Sequence, residues 1–354
     1  MLDRLYVIIT KVRNSLYEKG VFKSFSLGVP TVSVGNITVG GTGKTPLVAF
    51  VAEILAATGE KVCVLSRGYG RDNPKKRVLV SDGEKILVEV KTAGDEPFEL
   101  AQKLLGKAVI VADANRVSAG NWARERFGIT AFVLDDAFQH RRVRRDINIV
   151  TIDATNPFGN GKLLPAGILR EPLENLKRAD AIVVTRANLV GNVAGLKAQI
   201  SKYNANCQIF VAENKTSSLI DLKNFLARAQ DEANYELRVT NYEKKPVTNH
   251  RPSTTSHYFA FCALGNPNNF FEQLQKENFN VVLTEEFPDH HYYTQKDIEK
   301  LEAKARQANA EILLTTAKDA VKLKNLRFDS PCFVVESEMI FDGENNFRDW
   351  LTAK

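Results

Sequence analysis

Cysteine is scarce in this 354-residue chain, and its few positions lie far apart. The four cysteines are Cys63, Cys207, Cys262 and Cys332. Their spacing matches neither the close pairs of a zinc site nor a disulfide framework. Three of them fall in apolar runs that are typical of strands, so we expect buried, reduced thiols in a reducing compartment.

Long apolar runs are also missing. No stretch reaches the roughly 18–20 residues that a membrane-spanning helix needs. No small-residue cleavage site follows a suitable apolar core, so the sequence predicts no signal peptide. Internal repeats and low-complexity segments are absent too. We therefore predict a protein with no transmembrane span.

The composition is that of an ordinary globular protein, with 44% apolar and 25% charged residues. The formal charge is +6 and the sequence pI is about 9.0. Such a balance suits an anionic partner, which could be a nucleotide, an acidic lipid surface or a nucleic acid. The length favours two domains.

A glycine-rich segment between an apolar run (29–34) and a helical pattern (47–57) is the strongest signal in the chain. It reads Gly40-Gly41-Thr42-Gly43-Lys44-Thr45-Pro46. Backbone N–H groups in such a loop can surround an anion, and the helix N-terminus adds its positive end. The pattern predicts a phosphate-binding loop, in which Lys44 contacts the outer phosphates and Thr45 binds Mg²⁺. The predicted nucleotide-binding residues are Gly40, Gly41, Thr42, Gly43, Lys44 and Thr45.

The loop departs from the usual G-x-x-x-x-G-K-[ST] pattern, because Thr38 stands where its first glycine belongs. A glycine-rich turn that only links a strand to a helix is the alternative. The position of Gly-Lys-Thr, with Pro46 in the first helical turn, favours the phosphate-binding interpretation.

Short apolar runs alternate with helical patterns along the chain, which predicts an α/β fold with a doubly wound, mostly parallel sheet of P-loop NTPase type and a second, smaller α/β lobe. The predicted strands lie at 29–34, 61–66, 108–112, 130–134, 147–152, 181–185, 257–264, 281–284, 312–315 and 332–335. We predict four regions: 1–25, a basic amphipathic helix; 26–215, the P-loop domain; 216–256, a polar connector; and 257–354, the smaller lobe. The active site is expected in the cleft between the lobes, at the carboxyl ends of strands.

A nucleotide site also needs an acidic group for the metal. Asp135 and Asp136 end an apolar strand, which is typical of the second NTPase motif, and either could hold Mg²⁺. Asp113 and Asp153 follow other strands and compete with them. The doubled aspartate before Ala137-Phe138-Gln139-His140 favours the first pair.

Arginines follow two of these strands. Arg67 and Arg71, in Ser66-Arg67-Gly68-Tyr69-Gly70-Arg71, could hold a phosphate or carboxylate of the acceptor, or could be solvated turn residues. A basic run covers 141–145. It lacks interleaved aromatic residues, so we predict no nucleic-acid partner.

The N-terminus has apolar residues at helical spacing, among them Leu5, Ile9, Val12 and Leu16, together with basic residues. One interpretation is an interfacial helix that lies on an anionic bilayer. The other is a first helix whose apolar face packs on the domain.

Taken together, the motifs resemble one family closely, the tetraacyldisaccharide 4'-kinases, which are the lipid A 4'-kinases of Gram-negative bacteria. The matching segments are 34–36, 40–46, 66–70, Gly94-Asp95-Glu96-Pro97, 135–141, 164–167, 169–172, Phe287-Pro288-Asp289-His290-His291 and Thr315-Thr316-Ala317-Lys318-Asp319. Ala317 departs from the family, which commonly has glutamate there. The form of the loop at Thr38 resembles the family's own.

The resemblance implies ATP-dependent phosphorylation, with Mg²⁺, of the 4'-hydroxyl of a lipid A disaccharide 1-phosphate. It places the enzyme as a peripheral protein at the cytoplasmic face of the inner membrane, with the N-terminal helix on the bilayer and no obligate protein partner. Asp95 is similar to the family's base and His290 to its partner, while Lys44 serves catalysis. Further implied residues are Gln139 and Glu171 at the metal, and Asn36, Arg67, Arg71 and Arg170 at the substrate.

The residues alone leave alternatives open. Asp95 precedes Glu-Pro, a setting typical of a helix N-cap, and the pair His290 and His291 could be structural. A regulatory GTPase or metallochaperone ATPase is a rival function, but Asn214-Lys215-Thr216-Ser217 lacks the aspartate of a guanine motif. A non-catalytic nucleotide-binding membrane adaptor is a second rival, against which the intact Lys44 and Asp135 argue.

Overall fold

A computed structural model describes residues 2–231 and 256–354. The described part of the chain contains twelve strands: β1 (Thr31–Asn36), β2 (Val62–Ser66), β3 (Val78–Ser81), β4 (Ala108–Ala112), β5 (Ala131–Asp135), β6 (Ile147–Asp153), β7 (Ala181–Thr185), β8 (Gln208–Asp221), β9 (Tyr258–Cys262), β10 (Val281–Glu286), β11 (Ile312–Thr316) and β12 (Cys332–Phe341).

Helices connect most of these strands. Within the same residues they are α1 (Leu2–Glu18), α2 (Lys44–Ala57), α3 (Val90–Ala93), α4 (Asp95–Lys103), α5 (Arg116–Phe127), α6 (Ala194–Tyr203), α7 (Leu222–Asp231), α8 (Pro267–Lys276), α9 (Gln295–Gln307), α10 (Ala317–Ala320) and α11 (Glu344–Thr352). Two short 3-10 helices cover Leu173–Arg178 and Ala187–Leu189.

All twelve strands form one sheet in the order β10-β9-β11-β12-β8-β7-β6-β1-β5-β2-β4-β3. Neighbouring strands are parallel except at two places, where β3 pairs with β4 and β12 pairs with β8. We call the part of the sheet formed by β1 to β7 its first half, and the part formed by β9 to β12 its second half. β1 lies between β5 and β6, so the loop that follows it emerges near the middle of the first half. The predicted α/β fold with a large, mostly parallel sheet is confirmed.

The first half of the sheet is covered on both faces, as a doubly wound sheet requires. Alternate residues of β2 point to opposite sides: Val62 and Val64 pack in the core that contains α2 and α4, whereas Cys63 and Leu65 pack in the core that contains α5. Burial on both faces explains why these strands read as continuous apolar runs in the sequence.

Strand β8 joins the two halves of the sheet. Its first residues, 208–211, pair in parallel with β7, and residues 212–221 pair antiparallel with β12. The sequence did not indicate this strand, because burial alternates along its second half and the exposed positions are polar. The expected connector 216–256 therefore begins with the end of β8 and with α7, and its remainder, 232–255, lies outside the described residues. The four region boundaries stay a prediction.

Helix α1 lies beside the segment that carries Arg170 and Glu171. The Tyr6 hydroxyl donates to the Arg170 carbonyl oxygen (3.0 Å), and Asn14 Nδ2 donates to Glu171 Oε2 (3.2 Å). In the described part of the chain, no helix is both long enough and apolar enough to cross a bilayer.

Candidate active site

The loop between β1 and α2 has the backbone shape of an anion-binding loop. Gly40 (φ 99°) and Gly43 (φ 78°) adopt positive φ values that favour glycine. Gly43 is the N-cap of α2, where no side chain accepts a hydrogen bond from the first-turn N–H groups. Those N–H groups and the positive end of the helix are the features that bind phosphate.

Lys44 and Arg170 both face the carboxylate of Asp136. Lys44 Nζ lies 3.8 Å from Asp136 Oδ1. Arg170 donates two hydrogen bonds, from Nη1 to Oδ1 (2.6 Å) and from Nη2 to Oδ2 (3.1 Å). Burial acts to raise the pKa of Asp136, but Lys44 and Arg170 outweigh it, and the pKa falls to about 2. Asp136 is therefore ionised at neutral pH.

Asp135, at the end of β5, is buried beside Asp136. Its Oδ2 accepts a hydrogen bond from the Ser66 hydroxyl (2.8 Å), whereas its Oδ1 is buried without a partner in the described structure. Burial, with the nearby charges of Glu96 and Asp136, raises the pKa of Asp135 to about 7. A buried carboxylate oxygen without a donor, close to other carboxylates, is a position where a cation would be favourable.

The donor set suits Mg²⁺. The described residues contain no group of three or more His, Cys, Asp or Glu side chains in metal-binding geometry. Mg²⁺ commonly takes one or two carboxylates and completes its shell with water and phosphate oxygens. Asp135, Asp136 and the Thr45 hydroxyl offer such a partial set, and Asp135, Asp136 and Thr45 line the same cleft.

Asp95 is the first residue of α4 and is 4% exposed. His290 Nδ1 lies 3.0 Å from Asp95 Oδ2, and Lys322 Nζ lies 2.9 Å from the same oxygen. Burial acts to raise the pKa of Asp95, but His290 and Lys322 outweigh it and hold the pKa below its usual value. An ionised carboxylate next to a histidine can accept a proton from a hydroxyl group.

One cleft of about 510 Å³ is lined by the phosphate-loop group and by His290, the partner of Asp95. The first half of the sheet contributes the phosphate loop, Arg67, Asp135, Asp136 and Arg170, and the second half contributes the 264–266 loop, His290 and Lys318. A Cβ atom placed on Gly265 would lie 3.7 Å from the Gly40 Cα, which shows how closely the two halves approach. The volume suits a nucleotide-sized ligand.

Most of the predicted site residues line this cleft or contact a residue that does. The lining includes Gly40, Gly41, Thr42, Gly43, Lys44, Thr45, Arg67, Asp135, Asp136, Arg170 and His290. Asn36 lies behind the loop, where its Nδ2 donates to Thr42 Oγ1 (3.0 Å) and its Oδ1 accepts from Arg170 (2.9 Å). Asn36 is fully buried and holds both Thr42 of the loop and Arg170 in place by hydrogen bonds.

Five predicted residues do not line the cleft: Asp95 and Asn36, whose contacts are given above, and Glu171, Gln139 and Arg71. Glu171 was expected at the metal, but its buried carboxylate contacts Arg178 and Arg13 and accepts from Asn14 and Asn175. These contacts hold α1 against the domain.

Gln139 was also expected at the metal. Its Nε2 donates to the Asn36 carbonyl oxygen (2.9 Å), which places it behind the phosphate loop. Arg71 was expected at the substrate, but its Nη1 donates to the Ala112 carbonyl oxygen (2.7 Å) and its Nη2 to that of Pro74 (2.8 Å). Its guanidinium is therefore committed to main-chain contacts.

The structure adds residues that the sequence did not indicate. Lys322 contacts the predicted base, as described above. Arg186 Nη1 donates to the Gly41 carbonyl oxygen (2.7 Å) and to Asp153 Oδ2 (2.6 Å), so it supports the phosphate loop. Glu96, next to Asp95, lines the cleft, and burial raises its pKa. Glu96 belongs to a motif that was recognised, whereas Arg186 has no local sequence signal.

The chain is similar to proteins of one family over nearly its whole length. A family model described as Tetraacyldisaccharide-1-P 4'-kinase (LpxK) matches residues 1–354. A protein named tetraacyldisaccharide 4'-kinase from Halothermothrix orenii is 38% identical over 325 residues, which are 91% of this chain and 81% of that protein. A protein of the same name from Geobacter metallireducens is 37% identical over 334 residues, 91% of this chain and 90% of that one.

Among solved structures, LpxK from Aquifex aeolicus, crystallised in complex with ATP, superposes with a TM-score of 0.71 and 29% identity. The match covers 99% of this chain and 96% of that one.

Proposed function

This chain belongs to the tetraacyldisaccharide-1-P 4'-kinase family, and we propose here how its cleft carries out the family's reaction. The family resemblance found in the sequence motifs is confirmed. The protein is a kinase that uses ATP to phosphorylate the 4'-hydroxyl of a lipid A disaccharide precursor, a step of lipid A biosynthesis. The assignment of individual residues to this reaction is our proposal.

The observation that carries the proposal is that two groups of side chains meet in one cleft. At one end lie Lys44, Asp136 and the phosphate loop, where the outer phosphates of ATP would bind. At the other lies His290, whose Nδ1 is 3.0 Å from Oδ2 of Asp95. Phosphoryl transfer depends mainly on positioning and charge neutralisation, and these two groups can supply both.

We assign Asp95 as the base. It would take the proton of the 4'-hydroxyl as the hydroxyl oxygen bonds to the γ-phosphorus and the bond to the leaving ADP oxygen breaks. Lys44 and the N–H groups of the loop would stabilise the negative charge on the phosphate oxygens. His290, which comes from the second half of the sheet, would orient Asp95.

Mg²⁺ is the metal that this donor set fits, and it would neutralise charge on the β- and γ-phosphates when bound. Asp135, Asp136 and Thr45 are the residues we assign to it. Arg170 keeps Asp136 in place through two hydrogen bonds to its carboxylate. Arg67 lines the cleft and is assigned to the acceptor.

The N-terminal helix is proposed to rest on the membrane surface. Ile8, Ile9 and Val12 are 57%, 56% and 53% exposed, and Phe22 and Phe25, just after the helix, are 44% and 42% exposed. An apolar stripe of this kind, flanked by lysines, suits the boundary between headgroups and acyl chains of an anionic bilayer. The enzyme would then be a peripheral protein on the cytoplasmic face of the inner membrane, where an acylated disaccharide is within reach.

The test is transfer of labelled γ-phosphate from ATP to a detergent-dispersed tetraacyl disaccharide 1-phosphate. We expect Asp95→Asn to lower the rate of transfer by about 100- to 10,000-fold, the contribution of a positioned base, while nucleotide binding is retained. Asp113→Asn is a matched control, because Asp113 is also buried (7% exposed) but pairs with Arg77, away from the cleft. Transfer by Asp95→Asn at the wild-type rate would overturn the assignment of the base, and phosphate release that is independent of lipid would point to a nucleotide switch.

A further inference from the structure

Lys322 is a buried lysine next to the proposed base. It follows α10, and its side chain is 0% exposed. Its Nζ lies 2.9 Å from Asp95 Oδ2 and 3.8 Å from Asp319 Oδ1. The cation also faces the ring of Tyr292, 5.9 Å from the ring centre. Its contact with Asp95 has not yet been given a part in the reaction.

A buried ammonium group is costly unless anions pair with it. The described structure provides two carboxylates for this pairing, those of Asp95 and Asp319. Asp319 is fixed by other contacts, since its Oδ2 accepts from Thr316 Oγ1 (2.7 Å) and from the Ala263 N–H (3.1 Å). Lys322 therefore joins an immobilised carboxylate of the second half of the sheet to Asp95 in the first half.

Both described partners of the Asp95 side chain contact the same oxygen. His290 and Lys322 approach Oδ2 from the second half of the sheet. The His290 hydrogen bond and the Lys322 ion pair fall on one oxygen and oppose rotation of the carboxylate, because rotation would break both contacts. The other oxygen, Oδ1, is then the one available to an acceptor hydroxyl.

We propose that Lys322 is a positioning residue for the phosphoryl transfer: its ammonium group keeps Asp95 ionised and keeps Oδ1 turned toward the acceptor. The inference rests on the proposed role of Asp95 as the base. Lys322 touches neither the nucleotide loop nor the residues assigned to Mg²⁺ in the described structure, so its effect passes through Asp95.

Several other groups act on Asp95. Burial raises its pKa, whereas His290, Lys322 and Lys318 lower it, with a net pKa below the usual value. Tyr292 faces Asp95 as well, and burial followed by the charge of Asp95 raises the pKa of this tyrosine. Without Lys322, less positive charge would oppose the effect of burial, and the pKa of Asp95 would rise.

The experiment compares Lys322→Met, which keeps the length of the side chain but removes the charge, with Lys324→Met, an exposed lysine two residues later. We expect Lys322→Met to lower kcat about 10- to 100-fold, as loss of orientation does. The acidic limb of kcat/KM against pH should move up by about one unit or more, since one neighbouring cation shifts a carboxylate by this amount. Lys324→Met should match the wild type, and ATP binding should persist in both variants.

A second measurement separates this role from a purely structural one. If Lys322 acts through Asp95, adding Lys322→Met to Asp95→Asn should change the remaining activity less than about threefold. A further loss equal to that of the single variant would overturn the proposal. So would a Lys322→Met enzyme that is less stable to heat but keeps the wild-type pH profile.

Lys322→Arg covers the case in which Lys322→Met does not fold. It retains the charge, so we expect the acidic limb to stay at its wild-type position, with lower kcat because the planar group cannot take the place of the ammonium. Movement of the limb in Lys322→Arg would contradict the proposal. Full activity of Asp95→Asn would instead refute the base assignment on which the inference rests.

Discussion

Arg170 contacts Asp136 at both carboxylate oxygens, with Nη1–Oδ1 and Nη2–Oδ2 distances of 2.6 Å and 3.1 Å. The same Nη1 donates to Asn36 Oδ1 (2.9 Å), so the guanidinium is itself held in place. A planar, two-point contact fixes the direction of the carboxylate as well as its charge. The geometry of the proposed metal site therefore depends on a residue that need not touch the metal.

Arg170→Ala should lower kcat by about 10- to 100-fold, the effect expected when a charge-assisted contact is lost. Arg170→Lys should fall between Ala and the wild type, since lysine retains the charge but not the two-point contact. The concentration of Mg²⁺ that gives half-maximal activity should rise in both. Arg306→Ala, at an exposed site on α9, is the control. Unchanged Mg²⁺ dependence in Arg170→Ala would contradict this account.

Gly94 precedes the proposed base and has φ 89° and ψ 153°, a region open essentially to glycine alone. A Cβ atom there would also lie 2.8 Å from the Tyr69 carbonyl oxygen. Gly94→Ala should lower the free energy of unfolding by about 1–3 kcal/mol and should reduce kcat, because Asp95 would shift.

Gly106→Ala is the matched control for Gly94→Ala. Gly106 also has a positive φ (77°), but nothing lies within 4 Å of an added Cβ. It should lose some stability and keep its kcat. Urea unfolding and the transfer assay measure both quantities, and equal kcat values for the two variants would show that the crowding at Gly94 does not affect the base.

His140 should make the protein less stable as the pH falls. Burial, followed by the charges of Arg116 and Arg145, lowers the pKa of His140 to about 4 from the ordinary 6.5. Between these values the unfolded chain binds a proton at this position and the folded chain does not, so lowering the pH favours unfolding. Above pH 6.5 His140 is neutral in both the folded and the unfolded chain, so it no longer affects the free energy of unfolding.

His140→Gln should therefore reduce the slope of unfolding free energy against pH between about 4 and 6.5. Urea unfolding at several pH values measures it. Added salt should reduce the part of the slope that comes from the arginines and leave the part that comes from burial. A slope identical to that of the wild type would show that His140 takes up its proton equally in the folded and unfolded chains.

The membrane contact is tested better by substitution than by truncation. Deleting residues 1–20 is predicted to weaken membrane association more than nucleotide binding, but it would also remove the contacts of Tyr6 and Asn14 with the Arg170–Glu171 segment. Ile9→Glu and Val12→Glu change only exposed side chains. We expect both to reduce sedimentation with anionic vesicles while ATP binding is unchanged, and wild-type sedimentation would refute an interfacial α1.

The sequence predicted ten of the twelve described strands, because burial on both faces leaves a continuous apolar run, as in Ala108–Ala112 and Ala181–Thr185. It predicted neither the short strand β3 nor β8, whose exposed positions are polar. The phosphate loop could be located because its chemistry is local: glycines, Lys44 and Thr45 are neighbours in the chain.

The rest of the site depends on contacts between distant residues. No sequence feature near Lys322 indicates that its ammonium group contacts Asp95. Likewise, no feature near Glu171 indicates that residues of α1 donate hydrogen bonds to its carboxylate. A motif identifies which residues belong together, but the partner of each charge follows only from how the sheet brings the segments side by side.

Asp95 and His290 are 195 positions apart. At a synthesis rate of about 5–20 residues per second, roughly 10–40 s separate the emergence of the two side chains from the ribosome. The strands around the phosphate loop have emerged well before then, with Asp95 still lacking its histidine and lysine. The core that packs on α2, however, also contains Phe341, Phe347 and Leu351. A nascent chain therefore lacks both a competent base and part of the packing behind the phosphate loop until its last residues have been synthesised.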